Sequence, residues 1–266
     1  MQKRAMTSEQ AKKVKRKGKL DEIDFANLIG VGEEYQNGPT DKKDVIDQNG
    51  DTHSVKGGDK RWQIFLYGQT RFENDPIFKV MGGVGDGVGD LILSCFSCFP
   101  DKYIEYQTNK KRCKEALKSK MLALTGKLQN KDVFSAFLLK SMFNGGEVVY
   151  LTVKRNDKFH VFYYSDVIDV LVNHLQVQTS VARAKGQMNY QKVTILHCDK
   201  NVGTIEMRHD SKAHYKQAVF SLDKDPILAI LISKISEHKE WGDRVSVYGR
   251  ALKKFAKCHK AFLKSH

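Results

Sequence analysis

Apolar residues recur along this chain with two periods, one near 3.6 and one of 2, and the change from one to the other marks out its elements. Leu20, Ile23, Phe25, Leu28, Ile29 and Val31 predict a short helix over 20–36, closed by the breaker Asn37-Gly38-Pro39. Two short β-type runs follow on either side of Asn49-Gly50, the strongest hairpin signal in the chain, and Gly57-Gly58 ends the second. Trp62, Phe65, Leu66, Gln69 and Phe72 fall at helical spacing and predict a helix over 62–72. The glycine-rich stretch 80–90 fits neither GxGxxG nor GxxxxGK[ST], so its glycines read as a packing loop or a close backbone approach. Residues 101–143 are helix-like. Residues 147–165 alternate as two strands about Asn156-Asp157. A helix over 165–175 capped by Ser165, strands over 191–198 and 202–208, and a helix over 226–238 with Asp225 at its cap and Pro226 at N1 complete the middle. The end, 248–263, is a basic amphipathic helix. There is no internal repeat. The order predicts a mixed α/β fold: a basic arm over 1–19, then a single domain over 20–266.

Composition narrows the class. Of 266 residues, 41% are hydrophobic and 10% aromatic, which excludes a mainly disordered chain. No run approaches the roughly 18 apolar residues of a membrane span, so no membrane partner is expected. The net charge is +14, and it is uneven. Residues 1–20 carry eight basic side chains against Glu9, and 250–266 carry six with no acid. A third basic run, Lys102, Lys110, Lys111, Arg112, Lys114, Lys118 and Lys120, lies on the long helix-like segment. Such a distribution favours a polyanionic partner, nucleic acid first. The basic N-terminal region is followed by no apolar stretch, and the five cysteines are scattered and odd in number. Both point to reduced thiols and a cytoplasmic setting. Cys95 and Cys98 form a CxxC, but inside the apolar run LILSCFSCF with no second pair at zinc spacing, so they read as core thiols.

The hairpin carries the chemistry. Asp44 and Asp47 lie on its first strand and Lys56 near the end of its second. Phosphodiester cleavage needs acids to hold Mg²⁺ and a lysine near the attacking water and the scissile phosphate. Which aspartate faces Lys56 depends on register. A tight two-residue turn pairs Asp47 with Thr52 and puts Asp47 on the face of Ser54 and Lys56; a three-residue loop over 49–51 puts Asp44 opposite Lys56.

Lys43-Asp44-Val45-Ile46 followed by Ser54-Val55-Lys56-Gly57-Gly58 resembles the core of the PD-(D/E)xK nucleases, and among them the type II restriction endonucleases. The resemblance spans residues 20–75 and 190–232. It implies a restriction-endonuclease-like α/β core with a central mixed β-sheet flanked by helices. It also implies Mg²⁺-dependent cleavage of double-stranded DNA leaving 5′-phosphate and 3′-hydroxyl, a homodimer, and a cognate DNA methyltransferase as genetic partner. It favours Asp44 over Asp47 as the metal-binding acid. Two departures stand out: Lys43 replaces the usual proline, and Ser54 stands where the second acid usually does. Serine supplies no carboxylate, so another acid must complete the site; Glu34 is favoured, with Glu33 next and Glu73 as a further candidate. Gln63 and Tyr67 match a QxxxY pattern that in related nucleases positions a substrate phosphate from a helix. Gly203 to Ser211, with His214 and Tyr215, is similar to a late strand and loop of the same enzymes. That likeness marks Glu206, Arg208, Asp210 and His214 as DNA-contacting candidates; arginine can fork to guanine, and a carboxylate can accept from cytosine.

Two rival classes remain. One is a non-catalytic nucleic-acid-binding protein, which the serine at 54 would suit. The other is a repair or recombination nuclease on the same core. Metal-free hydrolases fare poorly, since there is no GxSxG and no Cys–His pair in a suggestive context.

Overall fold

The computed structural model describes residues 8–32, 44–58, 60–181, 188–209 and 211–255. It is mixed α/β, with two sheets flanked by helices. The chain gathers into two compact units.

The first unit comprises Met1–Lys60, Gly146–Val170 and Leu228–His266. It opens with α1 (Ser8–Leu28), so much of the expected arm is the start of this helix; 1–7 lie outside the described residues. The hairpin β1 (Val45–Ile46) and β2 (Thr52–Lys56) follows. Its sheet has six strands, adding β4 (Tyr150–Arg155), β5 (Lys158–Tyr163), β10 (His238–Trp241) and β11 (Val245–Tyr248) in the order β1-β2-β4-β5-β11-β10. It is mixed: β2 runs parallel to β4 and β11 to β5, while the other neighbours are antiparallel. Val45, Val55, Tyr150, Phe159, Val161, Val245 and Val247 project from one face and bury against Phe25 and Ala26 of α1, Ile29 just beyond it, and Phe255. Of the expected C-terminal helix, 251–255 are helical and 256–266 lie outside the described residues.

The second unit comprises Arg61–Gly145 and Leu171–Ile227. Its five-stranded sheet is antiparallel throughout, in the order β3-β9-β8-β7-β6. These are β3 (Arg61–Tyr67), β6 (Gln176–Val181), β7 (Met188–His197), β8 (Lys200–Arg208) and β9 (Gln217–Asp223). Helices α2 (Gln69–Asn74), α3 (Pro76–Val80), α4 (Val88–Phe96), α5 (Tyr103–Leu128) and α6 (Lys131–Phe143) belong to it. Its core is aromatic, with Phe65, Phe72, Phe78, Phe96, Phe137 and Phe220 all buried. The glycine loop ahead of α4 is a packing loop, as expected: a side chain at Gly87 or Gly89 would collide with backbone carbonyls. Two helices, α7 (Tyr164–His174) and α8 (Lys224–Lys234), carry the chain across the division.

The expected helix over 62–72 is instead the strand β3 followed by the short α2. Pairing with β9 shifts register between Gln63 and Phe65, a β-bulge. The extra residue turns Trp62 and Phe65 to the same buried side, three positions apart, which imitates helical spacing. Gln63 and Tyr67 are therefore not one turn apart on a helix.

Candidate active site on the first hairpin

The hairpin turn is neither of the two weighed from sequence. Val45 pairs with His53 and Ile46 with Thr52, which leaves a three-residue loop over 48–50. Asp47 builds it: Oδ1 accepts from the backbone N–H of Asn49 (2.8 Å) and of Asp51 (3.0 Å). Gly50 closes the loop at φ 80°, the left-handed conformation such loops need at that position.

This register sets Asp44 level with Ser54, and period-2 alternation brings Lys56 to the same face. Three donors meet Asp44 Oδ2: the Val55 backbone N–H at 2.8 Å, the Ser54 hydroxyl at 3.3 Å and the Lys56 ammonium at 3.3 Å. Asp44 and Lys56 are mostly covered, their side chains 15% and 27% exposed. Ser54 is buried and acts as a donor that steadies Asp44.

Asp47 lies three residues on and points the other way. It is buried beside His53, with Nε2 3.5 Å from Oδ2, and it organises the turn rather than joining Lys56. The His53 ring packs on Phe25 and Tyr150, and its Nδ1 shares a 2.9 Å hydrogen bond with Thr152. Burial holds the His53 pKa below its usual value, against the pull of Asp47 and Asp51.

One acid that the sequence reading did not name feels the charge of this group. Glu22, on α1, has its pKa raised first by burial and next by the charge of Asp44, while Lys19 and Lys56 oppose the rise. Lys19 sits 3.3 Å from it. Neighbouring Asp21 lies so close to Gly57 that a side chain at 57 would run into its carboxylate, which brings this part of α1 against the strand end that carries Lys56. Glu33 and Glu34 lie outside the described residues. Glu73 belongs to the second unit, where its carboxylate accepts from Gln69 at 2.7 Å.

Mg²⁺ takes oxygen donors, commonly one or two carboxylates with the rest of its shell from water and substrate phosphate. Asp44 and Glu22 suit it. Burial first, and the charge of Asp44 second, raise the pKa of Glu22, and a divalent cation would offset that charge. Among the described residues no three His, Cys, Asp or Glu side chains gather into a metal cage. Cys95 and Cys98 are free thiols, Cys95 fully buried, and burial drives its pKa upward.

The other candidates lie in the second unit. Gln63 is exposed on β3; Tyr67 stacks on Phe65 at 4.6 Å with Arg71 over its ring. On β8, Glu206 and Arg208 share a strand face as expected, but Glu206 is ion-paired to Lys192, while Arg208 is exposed. His214 is exposed and its Nδ1 shares a 3.1 Å hydrogen bond with Gln217. Asp210 lies outside the described residues.

No described helix is long and apolar enough to cross a membrane. Compared with protein-family models, curated proteins and solved structures, the chain matches none.

Proposed function

We propose that this protein is a Mg²⁺-dependent endonuclease that hydrolyses phosphodiester bonds of double-stranded DNA at specific sites, as a type II restriction enzyme does. The observation that carries the reading is the convergence of Val55 N–H, Ser54 and Lys56 on one oxygen of Asp44, with Glu22 near enough to feel its charge. The same reading takes the active species to be a homodimer with a cognate DNA methyltransferase as genetic partner.

Asp44 and Glu22 would hold the cation. Bound there, Mg²⁺ supplies Lewis acidity toward the scissile phosphate and offsets the charge that builds on it. Lys56, anchored by Asp44, donates to a non-bridging phosphate oxygen and orients the attacking water, so its charge is already in place where charge develops. The water oxygen joins phosphorus in line, the bond to the 3′-oxygen breaks, and that oxygen leaves with a proton. The products are a 5′-phosphate and a 3′-hydroxyl. On this reading Arg208 and His214, both exposed, would read base edges, and the lysines of α5 would hold phosphates.

Lys56→Ala tests the assignment: DNA binding is retained, and Mg²⁺-dependent cutting falls by roughly 10²–10³-fold, the usual cost of removing one charge-stabilising donor. Undiminished cleavage by that variant overturns it. The serine at 54 favours a second reading, a protein that binds nucleic acid without cutting it. Tight DNA binding with no Mg²⁺-dependent nicking of plasmid would select that one.

A further inference from the structure

A second group of charges in the first unit takes no part in the cutting chemistry. Asp21 and Asp24 flank Glu22 on α1 and are three residues apart, so they share a helix face. Lys154, on β4, reaches both: its Nζ lies 3.0 Å from Asp21 Oδ1 and 2.7 Å from Asp24 Oδ2. Arg244, just ahead of β11, forks onto Asp24, with its two terminal nitrogens donating to Oδ1 at 3.0 Å and Oδ2 at 2.6 Å. The same guanidinium is held from behind by Asp157, through the backbone carbonyl at 3.1 Å and the carboxylate at 2.8 Å. Asp21 is 5% exposed, and its carboxylate fills the space over Gly57.

Such a network does more than hold a helix on a sheet. A buried ion pair adds little net stability over an apolar contact of the same size, but it fixes geometry, and a forked arginine–carboxylate pair fixes orientation as well. Two adjacent points on one helix face set both its rotation and its axial position. Successive residues leave an α-helix about 100° apart, from 3.6 residues per turn. Anchoring Asp21 and Asp24 therefore settles the direction in which Glu22 leaves α1.

We propose that Lys154 and Arg244 are positioning residues of the metal site: they clamp α1 through Asp21 and Asp24 and so hold Glu22 toward Asp44 and Lys56. The proposal rests on the nuclease reading above. Partners that orient a metal ligand typically cost about 10–100-fold in metal affinity or activity when removed.

The test uses the full-length chain and Mg²⁺ alone, titrated by calorimetry, with amide hydrogen exchange along α1 and thermal melting measured beside it. Lys154→Met and Arg244→Gln are expected to weaken Mg²⁺ binding by about tenfold or more and to speed exchange in α1. Lys154→Arg, which keeps the charge, restores most of the affinity, and cleavage by the weakened variants recovers at high Mg²⁺. Should Lys154→Met fail to fold, Arg244→Lys gives the same comparison, since it keeps the charge and loses the fork. Folded variants with wild-type Mg²⁺ affinity, even with a lowered melting temperature, overturn the clamp and leave the nuclease reading intact. A wild-type protein that binds no Mg²⁺ overturns that reading, and the clamp with it.

Discussion

A carboxylate that accepts three donors on one oxygen has its direction settled before any substrate arrives, and Asp44 is in that position. Asp44, Ser54 and Lys56 were candidates in the sequence through the nuclease resemblance, while the hairpin by itself left Asp44 and Asp47 open. Glu22 was not among them. It lies one helix upstream among Asp21, Asp24 and several lysines, and periodicity alone does not say which acid of such a run turns toward a strand lying far along the chain. Asp47 shows the reverse: a plausible ligand by spacing, it is spent on the turn because three residues along a strand is the wrong parity. Its neighbour His53 carries a prediction. The His53 pKa lies below the ordinary 6.5 because the ring is buried. The unfolded chain therefore takes up a proton below about pH 6.5 that the folded chain refuses. Stability is fully present above that pH and falls as the pH drops through it, by up to about 1.4 kcal/mol per unit until the folded group itself titrates. Melting followed from pH 7.5 to 5.5 should show this loss, and His53→Gln should flatten it.

At the level of elements, the first hairpin, the β4–β5 and β7–β8 pairs and the long helices followed from the pattern; the failures have local causes. The bulge in β3 gave two inward residues at a helix-like interval, so a strand read as a helix and the QxxxY likeness lost its geometry. Four strands, β6, β9, β10 and β11, went unseen. In β10 three of the four residues are exposed, so it has no apolar period to find. In β9 the run from Ala218 to Leu222 is buried throughout, so there is no alternation either. Joined to the hairpin is a helix contact that periodicity does not report, the approach of Asp21 to Gly57. Gly57→Ala should push α1 from the strand end, at a cost of about 1–3 kcal/mol, as overpacking does. Denaturant melts would measure the loss, and weaker Mg²⁺ binding should accompany it because Glu22 moves with the helix.

Over the whole molecule, the two ends hold nearly all of the +14 charge, and the middle, close to neutral overall, contains the candidate metal acids. The candidate cutting residues Asp44, Ser54, Lys56 and Glu22 belong to one compact unit, and the candidate base readers Arg208 and His214 to the other. Glycine pairs lie at or near two of the four crossings, Gly57-Gly58 and Gly145-Gly146, but the other two fall inside α7 and α8, where nothing in the sequence marks them. The second unit also carries the lysines of α5. Lys111, Lys114 and Lys118, three to four residues apart, line one flank of that helix beside its buried stripe. If they neutralise phosphates, replacing all three with alanine should weaken duplex binding alike on every sequence and lower the salt slope by about three, close to one per contact. Binding measured from 50 to 200 mM salt would show it, and an unchanged slope would place the DNA elsewhere. The central claim has a more direct test: long duplex DNA incubated with the purified protein, with and without Mg²⁺, and the ends sequenced. The account predicts discrete fragments with 5′-phosphates only when Mg²⁺ is present, formed roughly 10²–10³-fold more slowly by Lys56→Ala. DNA that is bound but left whole in Mg²⁺, or cut as well by Lys56→Ala as by the wild type, would contradict it.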